Sequence, residues 1–291
     1  MSYNLPMFSF RVIVVFVLMN VGVWQYAPTA FAQKSRPAQN ETHYDSLYAS
    51  KPATRPELRW ILDTPTAGML PRGSFDLDMQ TFSKADSQSI MGGGLQARLG
   101  IGLMDRFMVG ISYGASSVFT DAMPSYNPRL EFELKFRLLE ENEGLPAIAV
   151  GYSSQGYGPY DSDHKRYMIK SRGFYGAFSK NFKIYNNPAG LHGGVNYSLE
   201  NKDDNDPDVF AGFNADLGGD MMFLAEYDSG LNDNKRYGVY GLGRGYLNMG
   251  LAWYLTDNLS LEFDLRNLLR NRQYASAIDR EARLVYVEFF Y

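Results

Sequence analysis

The chain contains no cysteine among its 291 residues, and this absence excludes disulfides, a thiolate metal site and a lipid-modified N-terminal cysteine. Long apolar runs are also missing. The longest, at 12–24, covers about 13 residues, whereas a transmembrane helix needs roughly 20. A mean hydropathy of −0.30 likewise excludes a helical membrane protein. The net charge of −4 is small and of the wrong sign for a nucleic-acid-binding protein.

The N-terminus has the features of an export signal. Arg11 precedes the short apolar run, and residues 30–32 (Ala-Phe-Ala) form a small-x-small cleavage site before Gln33. We therefore expect a signal peptide over residues 1–32, with an uncleaved anchor as the alternative. Cleavage would remove one arginine and no acidic residue, so that a net charge of −4 becomes −5.

Apolar and polar residues alternate in twelve later stretches of roughly 9 to 12 residues, the length of a tilted strand that crosses a bilayer. The fourth stretch, 130–138, is the clearest, since its apolar residues (Leu130, Phe132, Leu134, Phe136, Leu138) alternate with charged ones (Glu131, Glu133, Lys135, Arg137). Only a closed sheet can place an apolar row on lipid while its backbone groups stay paired. The pattern predicts an all-β, transmembrane, up-and-down antiparallel β-barrel of twelve strands, give or take about two.

Connection lengths support this order of strands. The connections after strands two, eight and ten are tight, and those after strands three, five, nine and eleven are long and polar, which fits short periplasmic turns and long outer loops. Strand six, at 167–182, is blurred by Gly173, where a bulge is an ordinary cause. The connection 183–190 is long for a periplasmic turn, and 236–243 could hold a thirteenth strand.

The segment between the signal peptide and the barrel is polar and irregular. Residues 33–60 contain Pro37, Pro52 and Pro56 and have no periodic apolar face. We interpret them as a periplasmic lead-in to a barrel over 61–291, and a segment tucked into the lumen is the alternative. The composition favours the disordered lead-in.

The last strand, at 281–291, ends on aromatic residues. Val285, Val287, Phe289 and Tyr291 share one face at period two, and we expect this face to point to lipid. We predict that Val287, Phe289 and Tyr291 form the assembly signal read by the barrel-insertion machinery.

Charged side chains are predicted to line the lumen. The candidates are Arg98, Glu131, Glu133, Lys135, Arg137, Asp216, Glu226, Glu262, Asp264 and Arg266. Small residues on the strands beside strand four (Gly110, Ser112, Gly114, Ala147, Ala149, Gly151) leave room for its long charged chains. These charges could form a selective pore or a salt-bridged core that plugs a narrow barrel, and the small volume of such barrels favours the plugged core.

No group of residues makes a convincing catalytic or metal site. His164 lies beside Asp161 and Asp163 in a long loop, like the exposed Asp–His pair of outer-membrane proteases, but such loop residues are common. His192 points inward and lacks a serine motif resembling that of the outer-membrane phospholipase. The acidic loop 202–208 lacks the spacing and glycine of a calcium loop. We expect no enzyme activity, no cofactor and no bound metal.

Three segments resemble YjbH-like outer-membrane proteins. Residues 64–73 (Thr-Pro-Thr-Ala-Gly-Met-Leu-Pro-Arg-Gly) are similar to the segment that leads into the barrel of that family. Residues 134–141 with 145–151 are similar to a second block, and Ser171 with 178–182 to a strand end. The resemblance covers about 63–182. Its structural matches are Pro71, Gly73, Lys135, Arg137, Glu140 and Pro146.

The resemblance implies a non-enzymatic outer-membrane protein associated with envelope polysaccharide biosynthesis or export. A passive pore for small solutes and an outer-membrane hydrolase are the alternatives. The expected location is the outer membrane of a Gram-negative bacterium, after removal of the signal peptide. Expected partners are outer-membrane lipid, the barrel-assembly machinery and polysaccharide-export proteins, with no nucleic acid.

Overall fold

The computed structural model describes residues 55–82, 93–119, 123–200, 204–234, 240–273 and 278–289. The strands in these ranges are β1 (Ser74–Phe82), β2 (Gly94–Met104), β3 (Phe107–Ser116), β4 (Ser125–Tyr126), β5 (Glu131–Leu139), β6 (Ala147–Ser153), β7 (Tyr157–Asp161), β8 (Arg166–Ile169), β9 (Gly173–Ile184), β10 (Asn187–Tyr197), β11 (Asp208–Gly218), β12 (Met221–Asp228), β13 (Tyr246–Tyr254), β14 (Leu259–Arg266) and β15 (Asp279–Phe289). A 3₁₀ turn at Leu231–Asp233 lies between β12 and β13. No helix in the described residues is long and apolar enough to span a bilayer.

Twelve of the described strands close into one antiparallel barrel. Each pairs with its neighbour in chain order, omitting β4, β7 and β8, and β1 pairs with both β2 and β15. The two-residue β4 adds to the end of β3, and β7 with β8 forms a separate hairpin. The prediction of a twelve-stranded up-and-down barrel is confirmed. The proposed thirteenth strand at 236–243 falls largely outside the described residues.

The two ends of the barrel differ in their connections. At one end, which we call the short-turn end, two-residue turns join β2 to β3, β9 to β10 and β11 to β12. Tyr185 and Asn186 have φ values of 48° and 71°, so the β9–β10 connection is a tight hairpin turn. The expectation of a long turn at 183–190 was wrong, because the strands extend to within two residues of each other. The opposite end, the loop end, carries the long connections.

Strand six begins later than its sequence pattern indicated. β9 starts at Gly173, where φ is 58° and the register against Tyr197 shifts, so the expected bulge lies at this position. Tyr167 and Met168 belong instead to β8 of the small hairpin. Both side chains are buried under the hairpin. Because burial there also favours apolar residues, the segment resembled a strand of the barrel wall.

The outer surface of the wall is apolar and its inner surface is polar. Outward side chains such as Phe132, Leu134, Val195, Trp253 and Phe263 are about half exposed to solvent in the isolated chain. On β5 the inward neighbours Glu131, Glu133, Lys135 and Arg137 are charged and buried. Because an apolar exterior of this kind is stable only against lipid, the chain is a transmembrane β-barrel.

The final strand has the opposite orientation to the one expected. Val287 is 5% exposed and pairs with Asp76, whose side chain points into the lumen. Val285 and Phe289 share that face by period two, so this face points inward and the prediction that it contacts lipid was wrong. The physical reason is that residues 284–287 of β15 (Leu-Val-Tyr-Val) are apolar on both faces, while the charged Glu288 made the opposite face look like the lumen side. Tyr291 lies outside the described residues, and the assembly role of the three residues stays a prediction.

The first wall strand begins at Ser74. Residues 55–73, which we call the plug, lie within the lumen, and this includes the last part of the predicted lead-in. Thus the alternative of a tucked segment describes residues 55–60. Residues 33–54 lie outside the described ranges.

Candidate functional site: a segment held inside the lumen

The plug enters at the short-turn end, reverses direction and returns to β1. Ile61 N donates to the carbonyl of Thr64 at 2.9 Å, and Thr66 N donates to the carbonyl of Arg59 at 3.0 Å. A bridge between Trp60 and Pro65 completes this small hairpin. The plug therefore satisfies part of its own backbone and presents the rest to the wall.

The tip of the plug is held by one carboxylate on β12. Glu226 accepts hydrogen bonds from the backbone N–H groups of Leu62, Asp63 and Thr64 at 2.8–3.1 Å. The Thr64 hydroxyl donates to it at 2.7 Å, and Asn248 Nδ2 at 2.8 Å. Several donors converging on one buried anion form charge-assisted bonds, which are the stronger class of hydrogen bond.

Ion pairs surround this tip. Asp63 is in contact with the Arg266 guanidinium, which also bonds Asp264 at 3.0 Å. Arg172 donates to the Asp63 carbonyl at 3.1 Å and pairs with Asp228. Each inserted charge therefore meets an opposite charge close to the wall, as burial requires.

Farther down, a plug cation meets two wall acids. Arg59 is paired with Asp76 of β1, with Nε to Oδ2 at 2.7 Å, and with Glu133 of β5 at 3.2 Å. On the same side, Lys135 Nζ donates to the carbonyls of Arg59 and Gly68 at 2.9 and 3.3 Å.

The returning arm is gripped around Ala67. Arg137 donates to the Ala67 carbonyl through Nε and Nη2, at 3.1 and 2.8 Å. Ala67 N donates to Ser179 Oγ at 2.8 Å. Ala147 and Ala149 of β6 pack against the Ala67 methyl group.

Ser179 begins a polar chain across three strands. Ser179 Oγ lies 2.8 Å from His192 Nδ1, and His192 Nε2 lies 2.8 Å from Asn214 Oδ1. No serine motif lies near His192 in the sequence, because the hydroxyl comes from the neighbouring strand. Since the serine oxygen also accepts the Ala67 N–H, the chain ends on the plug and supports it.

Apolar contacts complete the attachment. Met69 and Leu70 pack on Met108 and Val287, and Val285 is partly buried beside them. On the other arm, Ile61 and Leu62 pack on Leu224, Met222 and Ala252. The inward apolar residues of β15 thus contact the plug instead of lipid.

The β7–β8 hairpin folds over the loop end. Tyr157 bonds Glu281 of the wall, Tyr167 bonds Glu131 at 3.0 Å, and Arg166 pairs with Asp233 at 2.9 Å. Glu200 accepts the N–H of Ser171 at 2.8 Å. Burial of this loop carboxyl raises its pKa to about 7, although backbone N–H donors oppose the shift. The hairpin at the loop end and the plug within the lumen together occupy much of the barrel interior that the structure describes.

The predicted lumen residues face inward, and all but one of them are buried. Nine are buried, namely Arg98, Glu131, Glu133, Lys135, Arg137, Glu226, Glu262, Asp264 and Arg266. Asp216 lies at the short-turn end, partly exposed and paired with Arg55 at 3.3 Å. The plug residues Arg59 and Asp63 were not among the predicted lumen residues. The acids Asp76 and Asp78 alternate with the apolar residues of β1 and are buried. Their inward position indicated that basic side chains from other segments had to pair with them.

The remaining candidates of the sequence analysis lie in loops. His164 Nδ1 is 2.7 Å from Asp161 Oδ2, and the Tyr240 hydroxyl bonds the same carboxylate. Burial alone would raise the pKa of Asp161, but these hydrogen bonds outweigh it and lower the pKa to about 2. Asp208, the first residue of β11, accepts hydrogen bonds from the Ser229 hydroxyl and the Leu231 N–H. Residues 201–203 of the acidic loop lie outside the described residues.

A cavity of about 680 Å³ lies at the short-turn end, below the plug. Its lining includes Arg55, Glu57, Arg137, His192 and Tyr254. Arg137 also bonds Glu57 and Glu140 there, so the cavity reaches the grip on Ala67.

Fold and site together define a transmembrane β-barrel whose lumen is occupied by its own N-terminal segment. No protein family matches the sequence, and none of the curated proteins is similar to it. Among solved structures, an outer-membrane channel from Pseudomonas putida is 14% identical, with a TM-score of 0.41 over 76% of this chain and 97% of that one. The NanC porin is 10% identical, with a TM-score of 0.43 over 74% and 100%.

The outer-membrane protein Omp33 from Acinetobacter baumannii is 8% identical, with a TM-score of 0.42 over 75% of this chain and 98% of that one. Likenesses this distant say nothing about function.

Proposed function

We propose that the protein is a non-enzymatic outer-membrane barrel of the YjbH-like type, which takes part in envelope polysaccharide export after its signal peptide is removed. The observation that carries this proposal is the convergence of the three resembling segments on Ala67. Residues 64–73 supply the plug arm, residues 134–151 supply Arg137 with the two alanines, and residues 178–182 supply Ser179.

This convergence gives the resemblance a physical meaning. Arg137 and Ser179 are 42 positions apart in the chain, yet both bond the same residue of the plug. Similarity that includes these contacts supports a shared arrangement of plug and wall. We infer that the closed barrel acts as a scaffold for polysaccharide-export partners, which reach it from the periplasmic, short-turn end.

A matched pair of arginine variants tests this function. Arg137 and Arg106 both bond Glu140, at 3.0 and 3.1 Å, but only Arg137 reaches the Ala67 carbonyl. With equal amounts of barrel in the membrane, Arg137→Gln should lower the secreted polysaccharide and Arg106→Gln should not. Normal polysaccharide in a strain that lacks the whole protein would refute the proposal.

A passive pore is the second candidate, and the cavity below the plug favours it. If the plug moved, this cavity would join the polar lumen above it. The chain has no cysteine, so Ala67→Cys with Ala149→Cys can be cross-linked without competing thiols. The oxidised variant in a planar bilayer should pass less current than the same protein after reduction. Equal currents in both states would show that the plug does not gate a pore.

A further inference from the structure

The inner wall of the barrel carries a large excess of acidic groups. The buried charged residues on the described wall strands comprise eleven acids (Asp76, Asp78, Glu131, Glu133, Asp208, Glu226, Asp228, Glu262, Asp264, Asp279, Glu281) and five bases (Arg98, Lys135, Arg137, Arg266, Arg283). With every group ionised, the excess is six negative charges. The net charge of the whole sequence is only −4, so the acidity is concentrated inside.

The plug covers three of these acids. Its Arg59 side chain pairs with Asp76 and Glu133, and the N–H groups at its tip are bound by Glu226. Withdrawal of the plug would therefore remove the plug's donors from three carboxylates at once, leaving Asp76 with the Gly100 N–H and Glu226 with the Asn248 amide.

Most wall bases have partners that do not depend on the plug. Arg283 bonds Asp78 at 2.8 Å, and Arg266 bonds Asp264 and Glu281, both at 3.0 Å. These pairs remain when the plug leaves. Lys135 is uncovered as well, since its hydrogen bonds are to plug carbonyls, so withdrawal uncovers three acids against one base.

Unpartnered polar atoms face the same space even with the plug in place. The Oε1 atom of Glu133 and both side-chain polar atoms of Gln80 are buried without a hydrogen-bond partner among the described residues. Glu133 Oε1 and Gln80 Oε1 are acceptors that can bind a hydrated cation or its water, whereas Gln80 Nε2 is a donor that can bind only a water.

We propose that the open barrel is a cation-selective conduit in which the plug occupies the cation positions of the wall. This inference rests on the pore candidate. Fixed acids in a narrow, low-dielectric channel attract counter-ions and repel ions of the same sign. The solute class is therefore inorganic cations and small organic cations, and an acidic glycan would not pass through this lumen.

The test uses the full-length protein in planar bilayers under a KCl gradient. The reversal potential should shift toward the K⁺ equilibrium value, with K⁺ several-fold more permeant than Cl⁻. Arg59→Gln should raise the open probability with the same ion preference, because it frees Asp76 and Glu133. Glu133→Gln should lower the K⁺ preference, whereas Asp105→Asn, the same change at an exposed turn, should not. Heat-modifiable migration on gels confirms that each variant is folded.

The possible results separate the two ideas. If neither the wild type nor Arg59→Gln passes current, the pore candidate and the present inference both fail. If current flows without a preference for K⁺, only the inference fails. Neither result bears on the proposed role in polysaccharide export, because that role is tested separately, by the amount of polysaccharide that cells secrete.

Discussion

β5 and β15 both hold the plug, but they do so with different chemistry. β5 uses Lys135 and Arg137, which donate to plug carbonyls. β15 contributes Val287, which packs on Met69 and Leu70. Because the inward residues of β5 are charged, its sequence predicted which face points to the lumen. Inward residues of β15 such as Val287 are apolar, so its sequence did not.

The difference shows what an inserted segment does to a barrel pattern. Lipid and an apolar plug surface both favour apolar side chains, so a strand between them loses its alternation. A barrel strand with apolar residues on both faces is therefore a candidate contact of a plug.

The largest effect should come from placing a cation on the lipid face of β5. Leu134→Arg should destabilise the barrel by roughly 2–4 kcal/mol, the range for arginine at the bilayer midplane. Lys135→Leu should cost less, because it removes only hydrogen bonds to the plug. Urea midpoints in lipid vesicles compare the two, and a larger loss for Lys135→Leu would reverse the assignment of faces.

The polar grip should come next. Arg137→Gln removes the guanidinium that shares two N–H groups with the single Ala67 carbonyl, and one charge-assisted contact of this kind contributes about 1.5–3 kcal/mol. The free energy of unfolding should fall by about this amount. A cysteine placed at Ala67 should also react faster with a thiol reagent in this variant. An unchanged labelling rate would show that Arg137 does not hold the plug.

The apolar grip should be weaker. Val287→Ala removes two buried methyl groups, worth about 0.8 kcal/mol each. Because Val287 packs on Met69 of the plug, a cysteine placed there as Met69→Cys should react faster with a thiol reagent when Val287 is shortened. Leu284→Ala changes the lipid face of the same strand and is the control. Faster labelling in the control than in Val287→Ala would restore the lipid-facing orientation of Val287.

The smallest effect is expected at the loop end, away from the plug contacts of Arg137 and Val287. Glu200 has a pKa raised from its ordinary value of 4.5 to about 7, so its protonated form is favoured by the folded loops. The stability that this carboxyl adds to the folded loops is fully present below about pH 4.5 and is lost as the pH rises through about 7. Hydrogen exchange of the β7–β8 amides should therefore show weaker protection above pH 7 once the intrinsic rate is corrected. Glu200→Gln should remove this dependence, while labelling of the plug stays the same in both proteins.

Much of the fold was predictable because period-two alternation is a local property. The outward residues of β5 and the nine buried lumen charges follow from it directly. The β9–β10 turn was misjudged, since Tyr185 and Asn186 give no glycine signal for a tight hairpin. The start of β9 was misjudged because β8 residues are buried by the hairpin and not by the wall.

The sequence by itself determined a closed membrane barrel with a charged interior, since alternation and the need to pair every backbone group in lipid leave no other arrangement. Only the tertiary structure decided what fills that interior. The partners of Arg59, Ala67 and Glu226 are far away in the chain, and no local pattern encodes which distant oxygen a buried N–H or guanidinium will meet. The face of Val287 was decided in the same way, because an apolar residue is equally stable against lipid and against the plug.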